Sequence, residues 1–330
     1  MIETTSRRSA WRVLKAAVMA AAILTVAIVA TLHHLGNRDV PAPSLIERQT
    51  HLRRAIDWLV RNEAVLLNDG NSALWRMVGV SAEITGDPDL NRIFHLALRR
   101  HFPPGLPTSP WVRMLDPRAA YELNFAELRD LSEYQYAFLD AITCGTAAQA
   151  LSSPTGWRQT NQCRPAWRHI QHGDMFCATH QMMAIEFLRV QQCPNLSAAP
   201  GLQDELAADV AWSLTVDPLV HDVYIQRVLM LMWTQGEAKV KPIWLRRVME
   251  SQQPDGAWMG RHQLPDLPEG WRLWDIRQRL ASAFPRLVNP NVVHTDFHAS
   301  AQGLLLMALA VRSAQMESAG TKAAETGVAR

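Results

Sequence analysis

Three things are scarce in this 330-residue sequence: charge of one sign, cysteine, and any run of alternating polar and apolar residues. Lys and Arg number 33 against 31 Asp and Glu, which gives a formal net charge of +2. The first 35 residues carry four basic residues and one acidic residue, so the remainder of the chain has a net charge of −1. A near-neutral remainder without a basic stripe argues against nucleic acid as a partner.

The lack of a strand pattern excludes a β-rich fold and favours an all-α class. From His51 onward, apolar residues recur with helical periodicity almost throughout the chain. The composition, 48% hydrophobic and 19% charged, is typical of a globular protein. A chain of this length is long enough to bury a substantial core.

One long hydrophobic run stands near the amino terminus. Ala16–Leu32 is uncharged, and the basic residues of this region all precede it. At about 1.5 Å per residue, such a helix covers most of a bilayer core of about 30 Å. The positive-inside rule then places the amino terminus in the cytoplasm and the bulk of the chain outside it. A cleaved signal peptide ending at Ala30 is the alternative, but Ile28 is larger than the small residue usually found at the third position before a cleavage site, so a retained anchor is favoured.

These observations divide the chain into five parts. Residues 1–15 are predicted to be cytoplasmic, 16–35 to form a transmembrane signal anchor, and 36–50 to be a linker. Residues 51–314 are predicted to form one exported domain, and 315–330 a disordered tail. The predicted location is therefore the inner membrane of a cell with a periplasm, in a single pass, with the bulk of the chain on the periplasmic side.

An exported domain lies in an oxidising compartment, where four cysteines suggest disulfides. If Ala178–Val190 is one helix, Cys177 and Cys193 stand near opposite ends, about 24 Å apart at 1.5 Å per residue. Bridged Cα atoms must be within about 7 Å, so that pair is excluded. The other two ways of joining these cysteines with Cys144 and Cys163 remain open.

Two segments share a pattern in which a helix carrying Trp-Leu is followed by a polar Asp-Gly turn and a second tryptophan. The segments contain Trp58-Leu59, Asp69-Gly70 and Trp75 in the first case, and Trp244-Leu245, Asp255-Gly256 and Trp258 in the second. Glycine accepts the turn geometry, aspartate binds the turn backbone, and tryptophan packs over the helix end. Such units cannot bury their own apolar faces and must stack on neighbours.

The stretch Gln252–Trp258 resembles the Gln-x-x-Asp-Gly-x-Trp repeats of the α/α-toroid superfamily, which includes terpenoid cyclases and protein prenyltransferases. The resemblance covers Trp244–Trp258, with Gln252 three positions further from Trp244-Leu245 than in the usual repeat. It implies antiparallel helical hairpins arranged in a closed or partial α/α toroid. The acidic Asp-x-Asp-Asp signature of the cyclases is absent, so the resemblance speaks for the fold more than for terpene cyclisation.

Residues whose side chains can bind a metal or transfer a proton cluster before two apolar helical runs, Ala178–Val190 and Ala299–Val311. They are Asp174, Cys177 and His180 before or at the start of the first run, and His294, Asp296 and His298 before the second. Cys-x2-His and His-x3-His pairs each share one helix face, so together they could offer four ligands to Zn²⁺ or Cu. The predicted metal ligands are Cys177, His180, His294 and His298. Protein prenyltransferases bind zinc through Asp, Cys and His, and Asp174 with Cys177 resembles that arrangement except for one extra intervening residue.

The same cluster has two other interpretations. It could form a metal-free catalytic pocket in which Asp174, His180, Asp296 and His298 exchange protons or orient one another. It could also be structural, with Cys177 in a disulfide and Asp174 and Asp296 as ordinary helix caps. A weaker prediction concerns polar residues that either line a cavity or face solvent: Asp130, Glu133, Tyr134, Asp222, Tyr224 and Gln226.

The sequence therefore leaves two functions open. One is an exported enzyme, with or without zinc, that acts on a lipid, glycan or peptide. The other is a non-catalytic binding or scaffold module tethered to the membrane by the N-terminal helix. Enzymatic activity is undecided at this level.

Overall fold

The computed structural model describes residues 3–104, 108–123, 131–146, 156–163, 177–193, 197–217, 220–260 and 296–325. Within these ranges the regular structure is entirely helical and no strand occurs. The prediction of an all-α class is confirmed.

Eleven α-helices and three short 3₁₀-helices make up the described chain. The α-helices are α1 Glu3–Gly36, α2 Leu45–Arg61, α3 Glu63–Leu66, α4 Ser72–Thr85, α5 Pro88–His101, α6 Glu133–Ile142, α7 Cys177–Gln191, α8 Leu202–Val216, α9 Asp222–Gln235, α10 Pro242–Glu250 and α11 Phe297–Glu325. The 3₁₀-helices are Pro110–Met114, Gly156–Arg158 and Glu237–Lys239.

The N-terminal helix α1 contains a segment, Trp11–Gly36, with a mean hydropathy of 2.4 in its most apolar window, and none of that window is buried. By length and composition this segment can cross a membrane. An apolar N-terminal helix is therefore present, as predicted. Because a cleaved signal sequence satisfies the same test, its retention and the side on which the domain lies stay predictions.

The core is built around α11. Every residue of Ala299–Val311 is buried, and α11 packs against α2, α4 and α9. A helix that is apolar on all sides must be covered on all sides, which explains its central place. A second group of contacts joins α7 to α6, α8 and α9.

The Asp-Gly-x-Trp turn has the geometry expected from its sequence. Gly256 has a φ of +100°, and the Ala257 N–H donates to Asp255 Oδ1 at 3.0 Å. The indole of Trp258 is fully buried, and its Nε1 donates to the carbonyl of Val248, near the end of α10, at 2.8 Å. The turn thus closes α10, and its tryptophan covers the helix end.

The same turn fastens α10 to α2. The Gln252 amide donates to the carbonyls of Gly256 at 2.8 Å and His51 at 3.0 Å. Arg54, also on α2, donates to the carbonyl of Gln253 at 2.7 Å. The carbonyls of an irregular turn are therefore satisfied by polar side chains and by helix α2, and this explains why Gln stands at the start of the motif.

The earlier unit behaves in a similar way at the start of α4. Trp75 is fully buried, and its Nε1 donates to the carbonyl of Asp69 at 2.7 Å. The Asp69 carboxylate accepts the Asn71 N–H at 2.8 Å. The ring of Trp75 lies 5.0 Å from that of Phe297 at the start of α11. The two units therefore reach the same central helix from two directions.

The segment between α1 and the domain is held rather than free. The carbonyl of Gly36 accepts a hydrogen bond from Trp244 Nε1 at 2.8 Å, and Arg246 donates to the carbonyl of Pro41 at 2.6 Å. Helix α2 begins at Leu45, inside the predicted linker 36–50, because Ser44 and Glu47 form a capping box there. The extended part of the linker is accordingly short and lies against α10.

At the other end, α11 continues to Glu325, into the segment 315–330 that was expected to be disordered. Its residues beyond Val311 include Ala, Met, Gln, Glu and Lys, which have high helix propensity. A helix that is already nucleated in the core extends through such residues without a new nucleus.

Cys144 and Cys193 form a disulfide with a Cα–Cα distance of 5.2 Å. This bond belongs to one of the two pairings that the sequence left open. Cys163 is disulfide-bonded as well, and no cysteine in the described part of the chain is free. The remaining cysteine of the sequence is Cys177, which begins α7 and whose side chain lies outside the described structure.

Candidate functional site

A cavity of about 520 Å³ opens where the amino-terminal halves of five helices meet. These helices are α4, α6, α7, α9 and α11, and the 3₁₀-helix Pro110–Met114 and the end of α5 complete the wall. Its described lining residues are Gly70, Asn71, Ser72, Ala73, Leu74, Met77, His101, Phe102, Ser109, Trp111, Met114, Tyr134, Gln135, Phe138, His180, Met183, Gln226 and His298.

Polar side chains gather at this cavity because helices must be capped where they begin. Asn71 accepts the Ala73 N–H at the start of α4, and Ser132 with Gln135 forms a capping box at the start of α6. Asp222 accepts the Val223 N–H at the start of α9 at 2.8 Å. Convergent helix starts therefore bring several polar groups to one place.

The most reactive arrangement joins α9 and α11. His298 Nδ1 lies 3.5 Å from Asp222 Oδ2, and Asp222 Oδ1 lies 3.3 Å from His221 Nδ1. Burial would raise the pKa of the Asp222 carboxyl, but hydrogen bonds and charges from His221 and His298 outweigh that effect and hold the pKa below its usual range. Asp222 is therefore a carboxylate that orients an imidazole at the cavity.

Gln302 contacts the same imidazole from the next turn of α11. Its Nε2 lies 3.2 Å from His298 Nδ1 and 3.5 Å from His298 Nε2, while its Oε1 is buried without a hydrogen-bond partner. A 180° rotation of the amide exchanges these two atoms, so that Oε1 can accept from Nδ1–H. That orientation satisfies the buried oxygen and allows Asp222 and Gln302 to share the Nδ1 proton.

His180 lines the cavity from α7. Its ring stacks on Tyr134 with a centroid distance of 4.2 Å and an interplanar angle of 27°, and Phe138 lies 5.8 Å away. His180 is half-buried. The stacking fixes the plane of the imidazole and presents a flat aromatic surface to the cavity.

A third histidine, His101, also lines the cavity and was missed by sequence reasoning. Its Nε2 is buried and has no hydrogen-bond partner in the described chain. His101 follows Arg99 and Arg100 in the last turn of α5, where basic residues are common because they interact favourably with the helix dipole. The sequence around it therefore gave no sign of a cavity.

Two amides present donors to the cavity. Gln226 accepts the Thr179 hydroxyl at 2.9 Å, and the oxygen of Gln135 accepts the Ser132 N–H at 2.9 Å. Each of these amides also carries an NH₂ group, which is a hydrogen-bond donor. The structure places Tyr134 and Gln226, two of the weaker sequence predictions, in the cavity wall.

The structure brings together only part of the predicted site. His180 and His298 line one cavity. Asp296 is the cap of α11, with its Oδ1 accepting the His298 N–H at 2.9 Å, which matches the structural interpretation of that residue. Asp174 and His294 lie outside the described residues.

The described donors do not by themselves form a metal centre. Across the described ranges, no group of three or more His, Cys, Asp and Glu side chains is arranged to hold a metal ion. A zinc site would therefore need His294, Asp174 or Cys177 in addition to His180 and His298. Zinc binding stays a prediction.

Comparisons of the chain with models of protein families, with curated proteins and with solved structures found no match.

Proposed function

We propose that this chain is a membrane-anchored, exported enzyme whose active site is the cavity at the helix starts. This proposal is based on the observation that His298 lines the cavity while its Nδ1 faces the Asp222 carboxylate. In this role His298 is the general acid–base, and Asp222 is the positioning residue that sets its tautomer.

The geometry fits proton transfer at Nε2. Asp222 and Gln302 hold the Nδ1 proton, so the lone pair of the neutral imidazole is on Nε2. The 3.5 Å separation between His298 Nδ1 and Asp222 Oδ2 is long for a hydrogen bond, and such contacts often tighten when substrate binds. His101 and the ring of His180 then lie beside the bound ligand rather than on the proton path.

The toroid architecture belongs to the same proposal. Supporting it, the starts of α4, α6, α7, α9 and α11 surround one cavity, and two Asp-Gly units anchor tryptophans beside the central helix α11. A zinc ion held by His180, His298 and His294 is a separate proposal. It predicts metal in the purified protein that is lost in His180→Ala with His294→Ala while helix content is kept.

The test uses the full chain in detergent micelles with a panel of chromogenic esters, amides and glycosides. We expect one class to be turned over and His298→Ala to lower kcat/KM by about 10²–10⁴-fold. His95→Ala is the matched control, because His95 is an exposed histidine on α5 outside the cavity. Turnover that is equal in both variants would contradict the assignment of His298.

A non-catalytic binding module is the second candidate. It is favoured by the absence of a free cysteine in the described chain and by the aromatic lining of the cavity. In that case ligands bind and His298→Ala alters affinity, but no member of the panel is turned over.

A further inference from the structure

The position of the membrane anchor relative to the cavity follows from α9 and α10. The carbonyl of Gly36, the last residue of α1, accepts a hydrogen bond from Trp244 on α10. Helix α10 starts shortly after α9 ends at Gln235. Asp222, at the other end of α9, lies 3.5 Å from the cavity residue His298. Thirteen helical steps of about 1.5 Å separate Asp222 from Gln235, which is roughly 20 Å.

The central helix α11, like α9, starts at the cavity and runs toward the end of the domain where the anchor is attached. Arg48, in the first turn of α2, donates to the carbonyl of Ala310 at 2.8 Å and pairs with Glu237 just beyond α9 at 2.6 Å. His298 lies twelve steps before Ala310, about 18 Å along the helix. Two helices therefore place the cavity at the end of the domain opposite the anchor, so a ligand reaches it through water rather than from the bilayer.

The lining of the cavity describes the chemistry of that ligand. Four aromatic side chains supply flat apolar surface: Phe102, Trp111, Tyr134 and Phe138. Gln135 and Gln226 supply NH₂ donors, and Ser72 and Ser109 supply hydroxyls. None of the described lining residues is Asp, Glu, Lys or Arg.

His101 is the clearest sign that a polar ligand is expected. Its Nε2 is buried and has no hydrogen-bond partner in the described chain. A buried polar atom at a cavity costs free energy unless a ligand or water bonds to it. Gln226 adds a polar side chain to the wall: only 2% of its surface is exposed, and its oxygen accepts the Thr179 hydroxyl.

Resting on the proposed function, we propose that the occupant of the cavity is an uncharged saccharide. A sugar ring has an apolar C–H face that packs on aromatic rings and a rim of hydroxyl groups that exchange hydrogen bonds with amides, hydroxyls and imidazoles. A lipid chain would leave the buried Nε2 of His101 unsatisfied. An acidic saccharide or a charged peptide would find no Lys, Arg, Asp or Glu among the described lining residues, and only the imidazoles of His101, His180 and His298 would face its charges.

The test measures binding of defined probes to the full chain in nanodiscs by calorimetry. The neutral probes are maltotetraose, cellotetraose and tetra-N-acetylchitotetraose, and the acidic probe is tetragalacturonate. We expect at least one neutral probe to bind with a Kd of about 1 mM or tighter. Trp111→Ala and Gln226→Leu should each weaken it by about 10-fold or more.

Trp212→Ala is the matched control, because Trp212 is a 65% exposed tryptophan on α8 that does not line the cavity. No binding of any neutral probe at about 10 mM, tighter binding of tetragalacturonate, or equal effects of Trp111→Ala and Trp212→Ala would overturn the inference. If Trp111→Ala unfolds, the affinity of Gln226→Leu and the comparison of neutral with acidic probes still decide whether a neutral saccharide binds in the cavity.

The outcome separates this inference from the proposed function. Turnover of an ester or amide that depends on His298, without saccharide binding, would refute the saccharide and keep the enzyme. Saccharide binding that depends on Trp111 and Gln226, without turnover of any substrate class, would keep the saccharide and leave a binding module.

Discussion

Gly256 provides a sharp test of the turn that fastens α10 to α2. Its φ is +100°, and a Cβ added there would lie 2.1 Å from the carbonyl oxygen of Arg54 and 3.3 Å from Cβ of Trp58. The nearest obstacle is therefore backbone of a packed helix, which cannot rotate away. We predict that Gly256→Ala separates the turn from α2.

The magnitude has two parts. A non-glycine residue at such a φ costs about 1–3 kcal/mol. Separation from α2 also breaks the Gln252–His51 and Arg54–Gln253 hydrogen bonds, each worth about 0.5–1.5 kcal/mol. The free energy of unfolding should fall by about 2–6 kcal/mol, which lowers Tm by roughly 4–20 °C for a domain of this size. Gly256→Val should have at least the same effect.

Gly86→Ala is the matched control for backbone strain alone. Gly86 also has a positive φ, +66°, but a Cβ there would meet no atom within 4 Å. That substitution should cost only about 1–2 kcal/mol. Thermal unfolding followed by far-UV circular dichroism on the full chain compares the two variants. If Gly256→Ala lowers Tm no more than Gly86→Ala, the close approach to α2 is refuted.

Three further predictions concern the rest of the chain. Cys144→Ser opens a disulfide whose cysteines are 49 residues apart and should lower the free energy of unfolding by roughly 4 kcal/mol; equal Tm values for wild type and variant under oxidising conditions would contradict this. Hydrogen bonds from the Ser44 backbone N–H and then from its hydroxyl lower the pKa of Glu47 to about 2. The stabilising contribution of Glu47 is therefore present above its ordinary pKa of 4.5 and is lost as pH falls from 4.5 to about 2. Glu47→Gln should make the free energy of unfolding depend less on pH in that window, and an unchanged pH profile would contradict this role of Glu47. The retained anchor predicts that the full-length protein stays in the membrane fraction after alkaline wash, with its carboxy terminus outside the cytoplasm, whereas a soluble product beginning near Thr31 would identify a cleaved signal.

The sequence could predict those features that depend on local spacing. Helical periodicity gives the all-α class, and the turn chemistry of Asp255 and Gly256 depends on residues close in sequence. The cavity could be predicted only in part, because it depends on which helix starts meet. His101 and Trp111 lie far in sequence from His298, and no local pattern connects them. Asp222 was recognised as a polar residue on an apolar helix, but its partner on α11 could be found only from packing.

Asp222 links the start of a helix to the chemistry of the cavity, and its two oxygens allow the roles to be separated. Oδ1 accepts the Val223 N–H at 2.8 Å in the first turn of α9, whose N-cap is His221, while Oδ2 faces His298 at 3.5 Å. Asp222→Ala removes both contacts, but His221 still accepts the Val223 N–H, so the stability cost should stay below the roughly 1 kcal/mol of a lost N-cap.

Asp222→Asn can keep the contact with the Val223 N–H through its oxygen but turns an NH₂ donor toward His298 Nδ1. The imidazole must then carry its proton on Nε2, where a general base needs a lone pair. We therefore expect Asp222→Asn to unfold like wild type yet to lose the Nδ1–H tautomer of His298, which ¹⁵N NMR of the imidazole distinguishes. An Nδ1–H tautomer that persists in Asp222→Asn would show that Gln302 alone sets it, and Asp222 would then have no part in positioning His298.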